Sequence, residues 1–232
     1  MPAPDPSLVR EFPFFAGLTD EDIRAVLRPA VTRRIPKKAA VFEQGEPAGE
    51  FFVLLHGHLK VVQTSPDGRQ VIVRIVEPGE LYGLAIALGR SDYPATTIAL
   101  EESLTLAWPS SSWAGLLERS PQLAGNAMRT LGNRVQEAHT RFREVSTEEI
   151  ERRVAHALLR IIDESGRAPG EAVDVEFPIT RQDVAEMTGT TLFTVSRILS
   201  GWEQKGLVSG GRERISIRDP AKLREIAESA PE

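Results

Sequence analysis

The sequence predicts an α+β chain in which a β-roll precedes a long coiled-coil helix and a C-terminal winged helix-turn-helix. Three observations carry this reading. Short β-branched or aromatic runs, most of them separated by Gly or Pro, fill residues 31–108. Apolar residues Ala124, Met128, Leu131, Val135, Ala138, Phe142 and Val145 alternate at spacings of four and three. Residues 181–200, RQDVAEMTGTTLFTVSRILS, set Ala185, Gly189, Val195 and Ile198 where two helices joined by a tight turn need small and branched side chains.

Residues 7–27 read as short helical pieces, and Thr19 followed by Glu21 and Asp22 marks a capped start. Residues 31–35, 51–55, 59–63, 71–76, 96–100 and 104–108 read as strands. Between two of them, Ser65-Pro66-Asp67-Gly68 is a turn, because Pro presets φ and Gly accepts a positive φ. These runs suit a closed roll of about eight strands, and an open antiparallel sheet shares the same signal. The four-three stripe is a coiled-coil seam that predicts a homodimer, although a helix packed on its own roll presents a stripe of the same kind.

Ser146 or Thr147 starts the next helix, whose inner face carries Ile150, Val154, Ala157, Leu158 and Ile161, and Gly166 and Pro169-Gly170 end it. Residues 177–179 read as a short strand, after which Thr180 caps the first helix of the motif and Thr190 and Thr191 open the second. Gly206 stops that helix. Residues 207–208 and 214–218 flank Gly210-Gly211 as a wing, and Asp219-Pro220 caps a last helix with Leu223 and Ile226. The domains expected are residues 8–120, 121–146 and 147–232.

Composition narrows the chemistry. In 232 residues there is no cysteine, which excludes disulfides, a cysteine nucleophile, thiolate zinc sites and cysteine-ligated iron–sulfur clusters. No run of about 18 apolar residues occurs and the start is short and proline-rich, so no membrane span or export signal is expected and the location expected is the cytoplasm. Ser, His and Asp form no catalytic motif and no phosphate-cradling glycine loop is present, so no enzyme is expected. A net charge of −5 argues against nonspecific coating of nucleic acid. Residues 147–232 hold twelve Lys or Arg against sixteen Asp or Glu, yet within 180–218 six basic residues oppose four acidic ones. The basic side is the side of the helix-turn-helix and wing, which points to phosphate contact.

Residues 42–47, FEQGEP, residues 51–61, FFVLLHGHLKV, and Pro78-Gly79-Glu80 resemble the roll signature of the cyclic-AMP receptor and FNR family of bacterial transcription regulators. Residues 180–183, TRQD, with Gly189 and 194–199, TVSRIL, are similar to that family's DNA-reading segment. The resemblance implies a jelly-roll, cyclic-nucleotide-binding-like double-stranded β-helix as a sensory domain. It also implies a homodimer, a recognition helix in each major groove of a palindrome with half-sites about 34 Å apart, and contact with RNA polymerase. By the same match Arg197 and Ser196 read bases, Thr191 and Thr194 meet phosphate, and Arg181, Gln182 and the wing's Arg212 clamp the backbone. Phe193 departs from the pattern, since the best-known relatives carry a glutamate there. It accepts no hydrogen bond but suits a thymine methyl. A regulatory module acting through protein partners, without specific DNA contact, is the alternative.

The effector is where the chain departs furthest. Cyclic-AMP binders of the family carry a ribose-gripping glutamate and a phosphate-neutralising Arg-Ser pair, and here Leu84 and Pro94-Ala95 stand instead, near Gly83. An anionic phosphate would find no cation in that segment, so no high-affinity cyclic-AMP response is expected. Residues 93–96, YPAT, and 194–197, TVSR, are most similar to the nitric-oxide-responsive denitrification subgroup, which leaves haem as a possible cofactor. His139, beside the seam, is the better haem or effector candidate. His56 and His58, two apart on a strand, share a face that suits a metal, whereas His156 reads as structural. Carbon monoxide sensors of the family use an N-terminal proline, which Pro2 would supply, but no histidine follows Gly79-Glu80 as they require.

Overall fold

The computed structural model describes residues 5–163, 173–211 and 213–229 and forms two compact units, Met1–Arg69 with Val73–Glu137 and Gln70–Ile72 with Ala138–Glu232. Pro2, Gly166, Pro169, Gly170 and Arg212 lie outside the described residues.

The first unit begins with two 3-10 turns and helix α1 (Asp20–Leu27), which Thr19 and Asp22 start with a reciprocal capping box. Eight strands follow: β1 (Val31–Ile35), β2 (Ala40–Phe42), β3 (Glu50–His56), β4 (Leu59–Thr64), β5 (Gln70–Val76), β6 (Leu81–Tyr82), β7 (Thr96–Ala99) and β8 (Ser103–Pro109). They make two four-stranded sheets in the orders β1-β8-β3-β6 and β2-β7-β4-β5, the roll rather than one open sheet. The Ser65–Gly68 turn is closed by Gly68 N–H donating to the Ser65 carbonyl at 2.8 Å.

Strand β3 explains why FFVLL is apolar throughout instead of alternating. Phe52 and Leu54 face a core between the sheets with Phe42, Leu59 and Ala99, while Phe51 and Val53 face a second core with Leu106, Trp108 and the helical residues Phe14, Phe15 and Ile23. A strand covered on both faces has no solvent side on which to place a polar residue. Trp108, fully buried, stacks on Phe51 at 5.4 Å and donates Nε1–H to the Val26 carbonyl at 2.8 Å. The indole thereby joins strand β8, strand β3 and helix α1 in one contact set.

Helix α2 (Trp113–Arg119) leads into α3 (Pro121–Thr147), about 40 Å long at 1.5 Å per residue. Its first turns bury Leu123 and Ala127 against the second core, and the Asn126 side chain donates to the Phe14 and Ala16 carbonyls at 2.9 Å each. Leu131 also packs partly there. Ala124 is half-buried, and the rest of the stripe is uncovered: Met128, Val135, Phe142 and Val145 are exposed, with Phe142 at 76%, and so is Ala138. The helix thus carries two apolar faces, one spent on the roll and one left to solvent.

The second unit holds α4 (Ile150–Asp163), β9 (Val173–Asp174), α5 (Arg181–Thr188), α6 (Leu192–Gln204), β10 (Val208–Gly211), β11 (Arg214–Ile217) and α7 (Pro220–Glu228). Its sheet order is β10-β11-β9. Two expectations are corrected. Ser146 and Thr147 do not start α4: α3 runs through Thr147, whose hydroxyl donates back to the Arg143 carbonyl at 2.9 Å, and the break falls at Glu148 and Glu149. Residues 177–179 are not a strand either, because Pro178 has no N–H for a ladder. The pairing strand is β9, and Val175 and Ile179 reach the Ile215 and Glu213 carbonyls by single bonds.

Truncating the shared indole tests this packing. Trp108→Ala should cost about 3–5 kcal/mol, read as a lowered midpoint in chemical denaturation, with Trp108→Phe losing clearly less.

Candidate functional site

Two places in the fold gather the residues singled out above, one in each unit. In the second unit Thr180 caps α5: its hydroxyl accepts from Asp183 N–H at 3.0 Å, and the Asp183 carboxylate accepts from Thr180 N–H at 2.9 Å. Helix α5 ends at Gly189, where φ is +64°, a left-handed conformation that a side chain disfavours. Thr191 then caps α6 by accepting from Thr194 N–H at 3.2 Å, and the two threonine hydroxyls pair at 2.9 Å. The helix-turn-helix is therefore specified by its caps as well as by its core.

The core sets which face is free. Val195, Leu199 and Trp202 are buried on the inner side of α6, and Trp202 donates Nε1–H to Glu151 at 2.8 Å. Phe193, Ser196 and Arg197, spaced at three and four, share the opposite side. Phe193 is 79% exposed, and among the described residues Arg197 has no hydrogen bond or ion pair. Gln182, exposed, donates to Glu186 at 2.8 Å. Arg181 is engaged inward: its guanidinium meets the Ser196 carbonyl at 3.4 Å, the Ser200 hydroxyl at 3.3 Å and the Glu203 carboxylate at 2.8 Å, tying α5 to α6. In the wing, β10 and β11 pair from Val208 with Ile217 to Gly211 with Arg214, and Arg218 donates to Ser209 at 2.7 Å.

In the first unit a cavity of about 120 Å³ lies inside the roll, and Gly83, Leu84, Pro94 and Ala95 all line it. Its walls include Phe42, Tyr82 and Tyr93. Phe42 stacks on Tyr93 at 3.8 Å, and Tyr93 closes its own position by donating O–H to the Glu50 carbonyl at 2.7 Å and accepting from Glu50 N–H at 3.1 Å. Burial raises the pKa of both tyrosine hydroxyls above the ordinary value, so both remain neutral. At Gly83 φ is +70° and a Cβ would approach Phe52 to 2.8 Å, so the backbone passes where no side chain fits.

No cation from residues 79–96 lines the cavity, but two arrive from outside that segment. Arg74 from β5 and Arg134 from α3 both line it. Arg74 pairs with Glu80 at 2.7 Å, whereas Arg134 donates to the Leu81 carbonyl and its buried Nε has no partner. Burial, assisted by the charge of Arg74, pulls the Arg134 guanidinium down to about 10, still protonated at neutral pH. Neither arginine has a local motif.

The histidines do not gather. The chain turns at Gly57, so His56 ends β3 and His58 lies beyond it, paired with Glu101 at 2.7 Å, and the shared strand face expected for the pair is corrected. His139 is exposed on α3 and does not line the cavity, and His156 lies 3.3 Å from Glu148. Among the described residues no three His, Asp or Glu side chains are placed to hold a metal, and no helix is long and apolar enough to cross a membrane.

Residues 32–120 match the cyclic nucleotide-binding domain and residues 152–226 the Crp-like helix-turn-helix domain. The chain is 30% identical over 215 residues to the cyclic AMP receptor protein of Thermus thermophilus, covering 93% of this chain and 96% of that one. It is 26% identical over 187 residues to the nitrogen fixation regulation protein FixK of Bradyrhizobium diazoefficiens, covering 81% and 78%. Among solved structures, FixK2 from Bradyrhizobium japonicum superposes with a TM-score of 0.75 at 22% identity over 87% of this chain and 99% of that one. The catabolite activator protein of Thermus thermophilus gives 0.53 at 30% identity, over 93% and 98%.

Because Thr191 holds the first turn of α6, Thr191→Ala should destabilise the second unit by about 0.5–2 kcal/mol. Thr191→Ser should restore most of it, both read by thermal denaturation.

Proposed function

Because this chain belongs to the CRP/FNR family of DNA-binding transcription regulators, we propose that it reads a palindromic duplex site as a homodimer, under an input other than cyclic AMP. The observation that carries the reading is α6: its inner face is buried and its outer face offers Arg197, with no protein partner, beside Phe193 and Ser196. An unpaired guanidinium on a helix that enters the major groove can bond guanine O6 and N7 together. Phe193 adds an apolar contact suited to a thymine methyl, so the preferred half-site differs from one read by a carboxylate. Thr191, Thr194 and Gln182 lie near the N-terminal end of this surface and suit phosphate oxygens. Arg181 supports them by holding α6 in place, with only part of its donor capacity left for a phosphate.

The dimer rests on the uncovered stripe of α3. Met128, Val135 and Phe142 recur every seven residues, and an exposed apolar row of that period is stabilised by a second copy of the same helix. Residues 8–120, 121–146 and 147–232 then divide sensing, pairing and reading. RNA polymerase is the further partner proposed, on the resemblance to the family. For the input, Leu84 and Pro94-Ala95 in the cavity, with Tyr93 and Phe42 stacked beside them, leave little room for a sugar and a cyclic phosphate.

In a mobility-shift assay on the chain's own promoter region, Arg197→Ala should weaken specific binding by about 1–3 kcal/mol per half-site, and unchanged binding would overturn the assignment. In sedimentation, Phe142→Glu should yield monomers where the parent chain is a dimer. A dimer that survives the charge places the seam elsewhere.

A further inference from the structure

Resting on the reading of the roll as the sensory half, we propose that its cavity binds a small, largely apolar monocarboxylate, with Arg134 and Thr97 as the groups that hold the carboxylate. Two residues that line the cavity each carry a buried polar atom without a hydrogen-bond partner: the Arg134 Nε and the hydroxyl of Thr97, which is 1% exposed. Buried polar groups left unmet are uncommon in folded proteins and cost stability, so two on one cavity point to a missing occupant. Both can donate, and a carboxylate is acceptor-only with two oxygens to offer.

Charge selects the same class. Of the two guanidinium groups on the wall, Arg74 is balanced by Glu80 at 2.7 Å. Arg134 bonds the neutral Leu81 carbonyl and is otherwise within reach of the same Glu80 charge and of Glu137, which is one turn on, exposed and screened by water. Two guanidinium groups on the wall therefore share one close carboxylate, which leaves one positive charge over and matches one negative charge better than a dianion. The Arg134 guanidinium stays protonated at neutral pH despite its burial.

Size and lining favour a small, largely apolar anion. An apolar cavity of about 150 Å³ takes one benzene ring, and this one measures about 120 Å³ between Phe42, Val61, Tyr82, Leu84, Tyr93 and Pro94. A single aromatic ring or a short branched chain with its carboxylate matches that space and surface. Inorganic phosphate has the charge but no apolar part to exclude water from these walls.

The test titrates the full chain by calorimetry with benzoate, phenylacetate and isovalerate, using benzamide as the neutral counterpart of benzoate, and with inorganic phosphate and cyclic AMP. At least one carboxylate should bind saturably with one site per chain, and benzamide should bind at least about tenfold more weakly than benzoate. Arg134→Gln should weaken the carboxylate at least tenfold. Thr97→Val, nearly isosteric and so tolerant of folding, should also weaken it while raising the melting temperature of the ligand-free chain, because the unmet hydroxyl is gone. No carboxylate binding, equal binding of benzamide, variants that bind like the parent, or tighter binding of cyclic AMP or phosphate would each overturn the proposal. A mobility shift on the same samples separates the two readings. If the parent chain shifts its DNA and binds no carboxylate, the ligand assignment falls alone; if it binds the carboxylate and shifts no DNA, the DNA reading falls and the cavity assignment stands.

Discussion

Burial of strand β3 on both faces is the constraint on which the first unit depends. Its alternate residues belong to different cores, so Phe52 and Leu54 hold the two sheets together while Phe51 and Val53 hold the helices to the outer side. Closing the roll leaves a volume between the sheets that side chains must fill or enclose. Stacked Phe42, Phe52 and Tyr82 fill part of it, with the Gly83 backbone packed close against Phe52, and Phe42, Tyr82 and Gly83 also wall the cavity that remains. The cavity is thus a consequence of how the sheets close. Its chemistry comes from the two arginines that reach its wall.

The second unit solves a different problem. A recognition surface must expose groups that want partners, and it stays ordered only if everything behind it is satisfied. Here Val195, Leu199 and Trp202 anchor α6 from within, caps at Thr180 and Thr191 satisfy the helix starts, and Arg181 bridges α5 to α6 through three acceptors. Arg197 and Phe193 are then held in place without internal contacts of their own. A rigid support with unspent outer groups is what binding a polyanion with base selectivity requires.

Much of this was legible in the order of residues, for reasons that are local. Strand runs, the Ser65–Gly68 turn, caps at Thr19, Thr180, Thr191 and Asp219, and the helix-turn-helix spacing each depend on neighbours within a few positions. The misreadings share the opposite character. Thr147 looked like a cap but bonds back into its own helix, and Pro178 interrupted a run that alternation alone made a strand. His56 and His58 shared a face on paper until the turn at Gly57 separated them.

By itself the sequence determined the α+β order of strands, long helix and winged helix-turn-helix, and the absence of cysteine chemistry, because periodicity, capping and composition act at short range; the resemblance to a known family singled out Arg197. Only the tertiary structure decided which apolar face of α3 the roll covers, that Arg181 braces the reader, and that Arg74 and Arg134 meet Thr97 around one cavity. Those outcomes join residues tens of positions apart through packing, and no local pattern encodes which of many charged side chains the closing of a roll will turn inward.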